Sequence, residues 1–126
     1  MMTKVPRISE AEWEVMKIVW AQSPKTSMQI MEQLEERMSW KPTTVKTLVS
    51  RLVKKGVLGF HKEGKNYSYF PLLLEEECLQ AESRSFLNRL YGGSLQPLLV
   101  SFLKEERLSK EDIKELRRLL DEKSGE

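Results

Sequence analysis

Residues 41–65, KPTTVKTLVSRLVKKGVLGFHKEGK, carry the strongest structural signal in the chain. Val45, Leu48, Val49 and Leu52 recur at i, i+3, i+4 and i+7, which at about 100° per residue places them on one side of a helix over Lys41 to Lys55. Thr43, Lys46, Thr47, Ser50 and Lys54 project from the other side. Pro42 suits the first turn, where its missing N–H would have no intrahelical partner, and Gly56 suits the C-terminal cap. Beyond it, Val57 to Phe60 and Asn66 to Phe70 are short β-prone runs joined by the charged turn HKEGK. They predict a hairpin, with Tyr67, Tyr69, Phe60 and Phe70 available to pack or stack.

The same stretch concentrates the positive charge. Lys41, Lys46, Arg51, Lys54, Lys55, Lys62 and Lys65 oppose only Glu63, a balance of +6, whereas residues 1–40 and 66–126 carry −1 and −3. The total of +2 over 126 residues therefore conceals a polarised molecule, and its basic segment suits the phosphate backbone of a nucleic acid.

Two helices are predicted upstream. Ser9 and Glu12 have capping-box spacing, with Ile8 and Trp13 placed as a hydrophobic staple, and Trp13, Met16, Val19 and Trp20 form an apolar stripe towards Ala21. Thr26 and Gln29 repeat the capping box, after which Met28, Ile30, Met31, Leu34 and Met38 supply a second apolar surface. Downstream of Pro71 the composition shifts. Glu75 to Tyr91 reads as a helix stopped by Gly92 and Gly93, with Leu79, Phe86, Leu87 and Leu90 on one side. Leu95, Leu98, Leu99, Phe102 and Leu103 make another stripe, and a last helix follows Ser109 with Ile113, Leu116, Leu119 and Leu120 on its apolar face.

Three helices followed by a hairpin with a basic tip is the order of a winged helix-turn-helix. The predicted fold is mainly α with a small β-hairpin wing, a winged-helix domain over 1–72 and a three-helix dimerisation region over 73–126. In such a fold the third helix enters the major groove with its N-terminal residues at the base edges. Thr43, Thr44 and Thr47 can exchange hydrogen bonds and offer methyls to thymine, and Lys46 can reach guanine O6 or N7. Lys41, Arg51, Lys54, Lys55, Lys62 and Lys65 are the candidates for neutralising phosphates, which provides affinity and register without sequence information. The C-terminal helices carry more apolar surface than about fifty residues can bury alone, so a two-fold dimer and an inverted-repeat DNA target are expected.

Other classes are less well served. One cysteine, Cys78, and one histidine, His61, permit neither an intramolecular disulfide nor a closed soft-ligand metal site, and no cofactor is expected. The carboxylates fall in helix caps or solvated runs, and there is no phosphate-cradling glycine loop, so an enzyme is not expected. No apolar run approaches the ~20 residues needed to cross a bilayer and no apolar signal region opens the chain, which predicts a cytosolic protein without membrane insertion. A winged-helix protein-interaction adaptor remains the alternative from another class. It predicts that reversing Lys46 and Arg51 leaves activity intact.

The segments ISEAEWEVMKIVW, TTVKTLVSRLVKKG and FLNRLYGGSLQPLLVSFLKEERLSKEDIKELRRLL make the chain similar, over almost its whole length, to the penicillinase-repressor family of bacterial winged-helix regulators, the BlaI, MecI and CopY type. The resemblance implies a homodimeric repressor on inverted-repeat operators upstream of resistance genes. In its β-lactam branch a membrane sensor protein leads to proteolytic cleavage in the C-terminal region. By position the family's DNA-reading helix corresponds to Thr43, Thr44, Lys46, Thr47 and Arg51, and its wing to the residues around Lys62, Lys65 and Tyr67, which adds Tyr67 to the phosphate contacts. The family's scissile Asn-Phe bond falls on Ser101 and Phe102, with serine in place of asparagine. The cysteine motif of the copper-responsive branch is missing from the terminal DEKSGE.

Overall fold

The computed structural model describes residues 5–105 and 107–125. The elements run α1 (Glu10–Ala21), β1 (Lys25–Thr26), α2 (Ser27–Met38), α3 (Pro42–Lys54), β2 (Leu58–Glu63), β3 (Asn66–Pro71), α4 (Glu75–Tyr91), α5 (Leu95–Glu105) and α6 (Lys110–Ser124). They fall into two compact units, one ending at Glu82 and the other beginning at Ser83. The first unit thus reaches ten residues beyond the expected boundary at 72. Its extension has a physical basis: Trp20 Nε1 donates to the Leu73 carbonyl at 3.0 Å, and Cys78 is buried in the core of this unit.

Local capping starts the helices where the side chains dictate. The Ser9 N–H donates to Glu12 Oε1 at 2.8 Å and the Glu12 N–H to Ser9 Oγ at 3.2 Å. Thr26 with Gln29 and Ser109 with Asp112 close the same reciprocal pair. Each box gives side-chain oxygen acceptors to two backbone N–H donors that the helix start would otherwise leave without partners.

The core of the first unit gathers Val15, Met16, Ile18 and Val19 from α1, Ile30 and Leu34 from α2, and Val45, Leu48, Val49 and Leu52 from α3. All four residues of the α3 stripe are therefore buried. On α1 the buried face is wider and turned from the expected one: Val15 and Ile18 are inside, whereas Trp13 and Trp20 lie half-buried at the edge, their rings 5.4 Å apart. A tryptophan is too large to seat easily in a small core and finds a partly wet border with a carbonyl for its N–H. Of the apolar surface expected on α2, Ile30 and Leu34 are buried, whereas Met28 is 68% exposed.

The wing is larger than a hairpin. Three antiparallel strands have the order β1-β3-β2, with Lys25 opposite Tyr69 and Thr26 opposite Ser68. Strand β1 has two residues and ends on the cap of α2, so it is too short to show an alternating pattern. His61, Lys62 and Glu63, expected in the turn, extend β2 and pair with Ser68, Tyr67 and Asn66. The turn shrinks to Gly64 and Lys65, with Gly64 at φ +62° where a tight hairpin needs a positive φ. Gly59 is needed for space: a Cβ there would stand 2.7 Å from the Phe70 ring.

In the second unit Gly92 and Gly93, at φ +59° and +88°, end α4, and the Gly93 N–H donates to the Leu87 carbonyl at 3.2 Å. No described residue of α5 or α6 is buried. Among the described residues no helix is long and apolar enough to cross a membrane.

Candidate nucleic-acid interface

Burying Val45, Leu48, Val49 and Leu52 leaves the opposite face of α3 in solvent. Thr43, Thr44, Lys46, Thr47 and Arg51 are all exposed there, with Lys41 and Lys54 exposed at its two ends. Unlike α1, α2 and α6, this helix begins without a side-chain cap; Lys41 stands at the N-cap, Pro42 follows, and no acid lies in the first turn. Pro42 has no N–H and the Thr44 N–H turns to the Lys41 carbonyl at 3.0 Å, so it is chiefly the helix dipole that favours an anion at this end. The Thr47 hydroxyl donates to the Thr43 carbonyl at 2.9 Å, which uses its one hydrogen and leaves the oxygen as an acceptor.

Alternation along the wing sorts its side chains. Phe60 faces Tyr69 and Lys62 faces Tyr67 across the strands, so these four share one face. The Phe60 ring lies 5.6 Å from Tyr67, and Lys62 Nζ sits 5.7 Å from the Tyr67 ring centroid. His61 and Phe70 stack on the other face at 4.8 Å. Lys62, Lys65 and Tyr67 are exposed.

Lys55 occupies a different position from the other cations. Its Nζ lies 2.6 Å from Glu12 Oε1 and donates to the Arg7 carbonyl at 2.8 Å. The Glu12 side chain is 1% exposed. Burial pushes the Glu12 carboxyl up, but the Lys55 hydrogen bond, the Ser9 N–H and the Lys55 charge outweigh it and hold the group below the ordinary carboxylate value. Lys55 therefore fastens the end of α3 to the start of α1. Forty-three residues separate the two charges, and no local pattern signals the pair.

The remaining expected residues divide cleanly. Leu79, Leu90, Leu95, Leu99, Phe102, Leu103, Ile113, Leu116 and Leu120 are all at least 41% exposed, while Phe86, Leu87 and Leu98 are half-buried. Ser101 and Phe102 lie exposed within α5. Cys78 is fully buried, and burial, with the neighbouring Glu77 charge, pushes its thiol up and away from reactivity. Among the described residues no group of three His, Cys, Asp or Glu is placed to hold a metal ion.

Three helices, a three-stranded wing and an outward basic third helix define a winged helix-turn-helix protein. Residues 8–122 match the penicillinase repressor family, and the chain belongs to it. The penicillinase repressor of Bacillus licheniformis is 41% identical over 121 residues, spanning 96% of this chain and 94% of the relative. The methicillin resistance regulatory protein MecI of Staphylococcus aureus (strain N315) is 37% identical over 120 residues, 95% of this chain and 98% of that one. The solution structure of the DNA-binding domain of the repressor BlaI superposes with a TM-score of 0.55 at 41% identity, covering 60% of this chain and 93% of that domain. The monomeric form of Bacillus licheniformis BlaI in complex with the blaP half-operator gives 0.53 at the same identity and coverage.

Proposed function

We propose that this chain is a homodimeric, sequence-specific repressor that binds inverted-repeat operators of double-stranded DNA and controls β-lactam resistance or related stress genes. The observation that carries the reading is the division of α3 into a buried apolar stripe and an exposed face of threonines and cations beside a basic wing. Thr43, Thr44, Lys46 and Thr47 are the base readers. Lys41, Arg51, Lys54, Lys62, Lys65 and Tyr67 hold phosphates, and Lys55 is excluded from that set because Glu12 holds it. A relative bound to a half-operator supports the DNA partner.

The exposed leucines and Phe102 of α4, α5 and α6 support a second copy as the partner. Apolar side chains in such number gain free energy only when removed from water, at about 25 cal/mol per Å2. Derepression by a membrane sensor protease is assigned to the Ser101–Phe102 bond, which is exposed but helical and must unwind to enter a protease. Selection of bound duplexes from random DNA with the purified protein tests the reading. The expected product is an inverted repeat with half-sites one or more helical turns apart; equal binding of selected and scrambled duplexes at physiological salt refutes it.

A further inference from the structure

The wing does not close against α3. Between them, beside the first turn of α2, lies an open cleft of about 830 Å3 that belongs wholly to the first unit. Small-molecule sites span roughly 300–1,000 Å3. One wall is α3, where half-buried Val53 faces the cleft and the edges of the core residues Val45 and Val49 reach its floor, with Met28 and Met31 of α2 beside them. The facing wall is aromatic, with Phe60 at 5.6 Å from Tyr67 and 6.4 Å from Tyr69. Phe60 remains 48% exposed, so the chain itself leaves this wall uncovered. The Tyr67 and Tyr69 rings are tilted by 57° and 50° to that of Phe60, so the wall offers both ring faces and ring edges to an apolar aromatic body.

The polar chemistry of the cleft has one sign. Lys46 and Lys65 line it and no carboxylate does. A DNA phosphate satisfies such lysines but not the apolar interior between them, since a charged backbone gains nothing from valine and phenylalanine walls. A ligand that meets both demands carries an acid group on an aromatic body.

We propose that this cleft binds a small aromatic acid, its rings between the α3 valines and the wing aromatics and its acid group on Lys46 and Lys65. Its binding opposes DNA binding, because the two lysines serve one anion at a time; this second statement rests on the DNA-binding reading above. Loading the cleft would thus release DNA without cutting the chain.

Methyl-labelled full-length protein titrated with 2-naphthoate, observed by NMR, tests the site. The expected result is saturable shifts at the Val45, Val49, Val53 and Met31 methyls, with uncharged 2-naphthamide about ten-fold weaker because it lacks the charge-assisted contacts. Ser50→Phe, which projects a ring from an exposed lining position into the cleft, is expected to abolish the shifts. If that variant fails to fold, Phe60→Ala is expected to weaken 2-naphthoate at least several-fold. Shifts confined to the α5 and α6 leucines, equal binding of acid and amide, or no saturation would overturn the site. In a DNA anisotropy assay 2-naphthoate is expected to weaken wild-type binding and to leave Ser50→Phe unchanged relative to its own baseline. Unaltered wild-type affinity at saturating 2-naphthoate would overturn the release step. A protein that bound no DNA would remove that step together with the repressor reading, whereas the methyl shifts decide the site in either case.

Discussion

Lys55→Ala separates a cation that touches DNA from one that holds the fold. The substitution leaves the Glu12 carboxylate, 1% exposed, without its partner at 2.6 Å. Breaking a buried pair costs roughly 3–5 kcal/mol, and the lower end applies because Lys55 is itself 34% exposed and the emptied space admits water. About 3 kcal/mol is a large share of the 5–15 kcal/mol that typically separates folded from unfolded domains. Urea unfolding followed by tryptophan fluorescence measures it selectively, since Trp13, Trp20 and Trp40 all lie in the first unit. Acidity supplies an internal check. The folded Glu12 value is depressed, so the wild-type contribution is complete above the ordinary value of 4.5 and is lost as pH falls through the lower folded value. In Lys55→Ala the carboxyl keeps its burial and loses its cation, so protonation relieves the defect and the gap between the two proteins narrows towards pH 4. A difference below 1 kcal/mol at pH 7, combined with a salt slope of DNA binding reduced by about one unit, would refute the assignment and return Lys55 to the phosphates.

The opposite outcome is expected of the exposed cations. Lys62→Ala is expected to leave unfolding unchanged and to lower the salt slope of operator binding by about 0.9 per protomer, measured by anisotropy across a potassium chloride series. Lys46→Ala is expected to reduce discrimination between the selected operator and a variant altered at the contacted base pair by about 1–3 kcal/mol. Phe102→Glu, which places a charge on the exposed face of α5, is expected to shift sedimentation towards monomer and to weaken binding to the full inverted repeat far more than to a half-site. Gly59→Val is expected to destabilise the wing by about 1–3 kcal/mol, because the added atoms meet the Phe70 ring, and to appear as faster amide exchange in β2 and β3.

Periodicity and capping made most of the first unit legible in the residue order. The stripe of Val45, Leu48, Val49 and Leu52 specifies both the helix and which face turns away from solvent, and the two capping boxes at Ser9 and Thr26 place helix starts to the residue. Such signals are local, lying within one or two turns, and so survive without knowledge of the rest of the chain. The exposed face of α3 follows from the same pattern by subtraction.

Other features depend on residues that are distant in sequence, and only folding brings them together. Strand β1 exists because β3 offers Tyr69 and Ser68 as partners, and two residues hold no period of their own. Lys55 resembles its neighbour Lys54 in composition and position, yet helix rotation and the start of α1 give one of them a buried carboxylate. Trp13 and Trp20 fit the apolar stripe of α1 by spacing, but the space available between α2, α3 and the sheet moved the buried face to Val15, Met16, Ile18 and Val19. The cleft at the wing likewise needs two walls contributed by segments that each read as an ordinary amphipathic element. Local order in the chain therefore decides which elements form and which side each buries, and the meeting of their surfaces decides which charges pair, which stay exposed, and where a cavity is left.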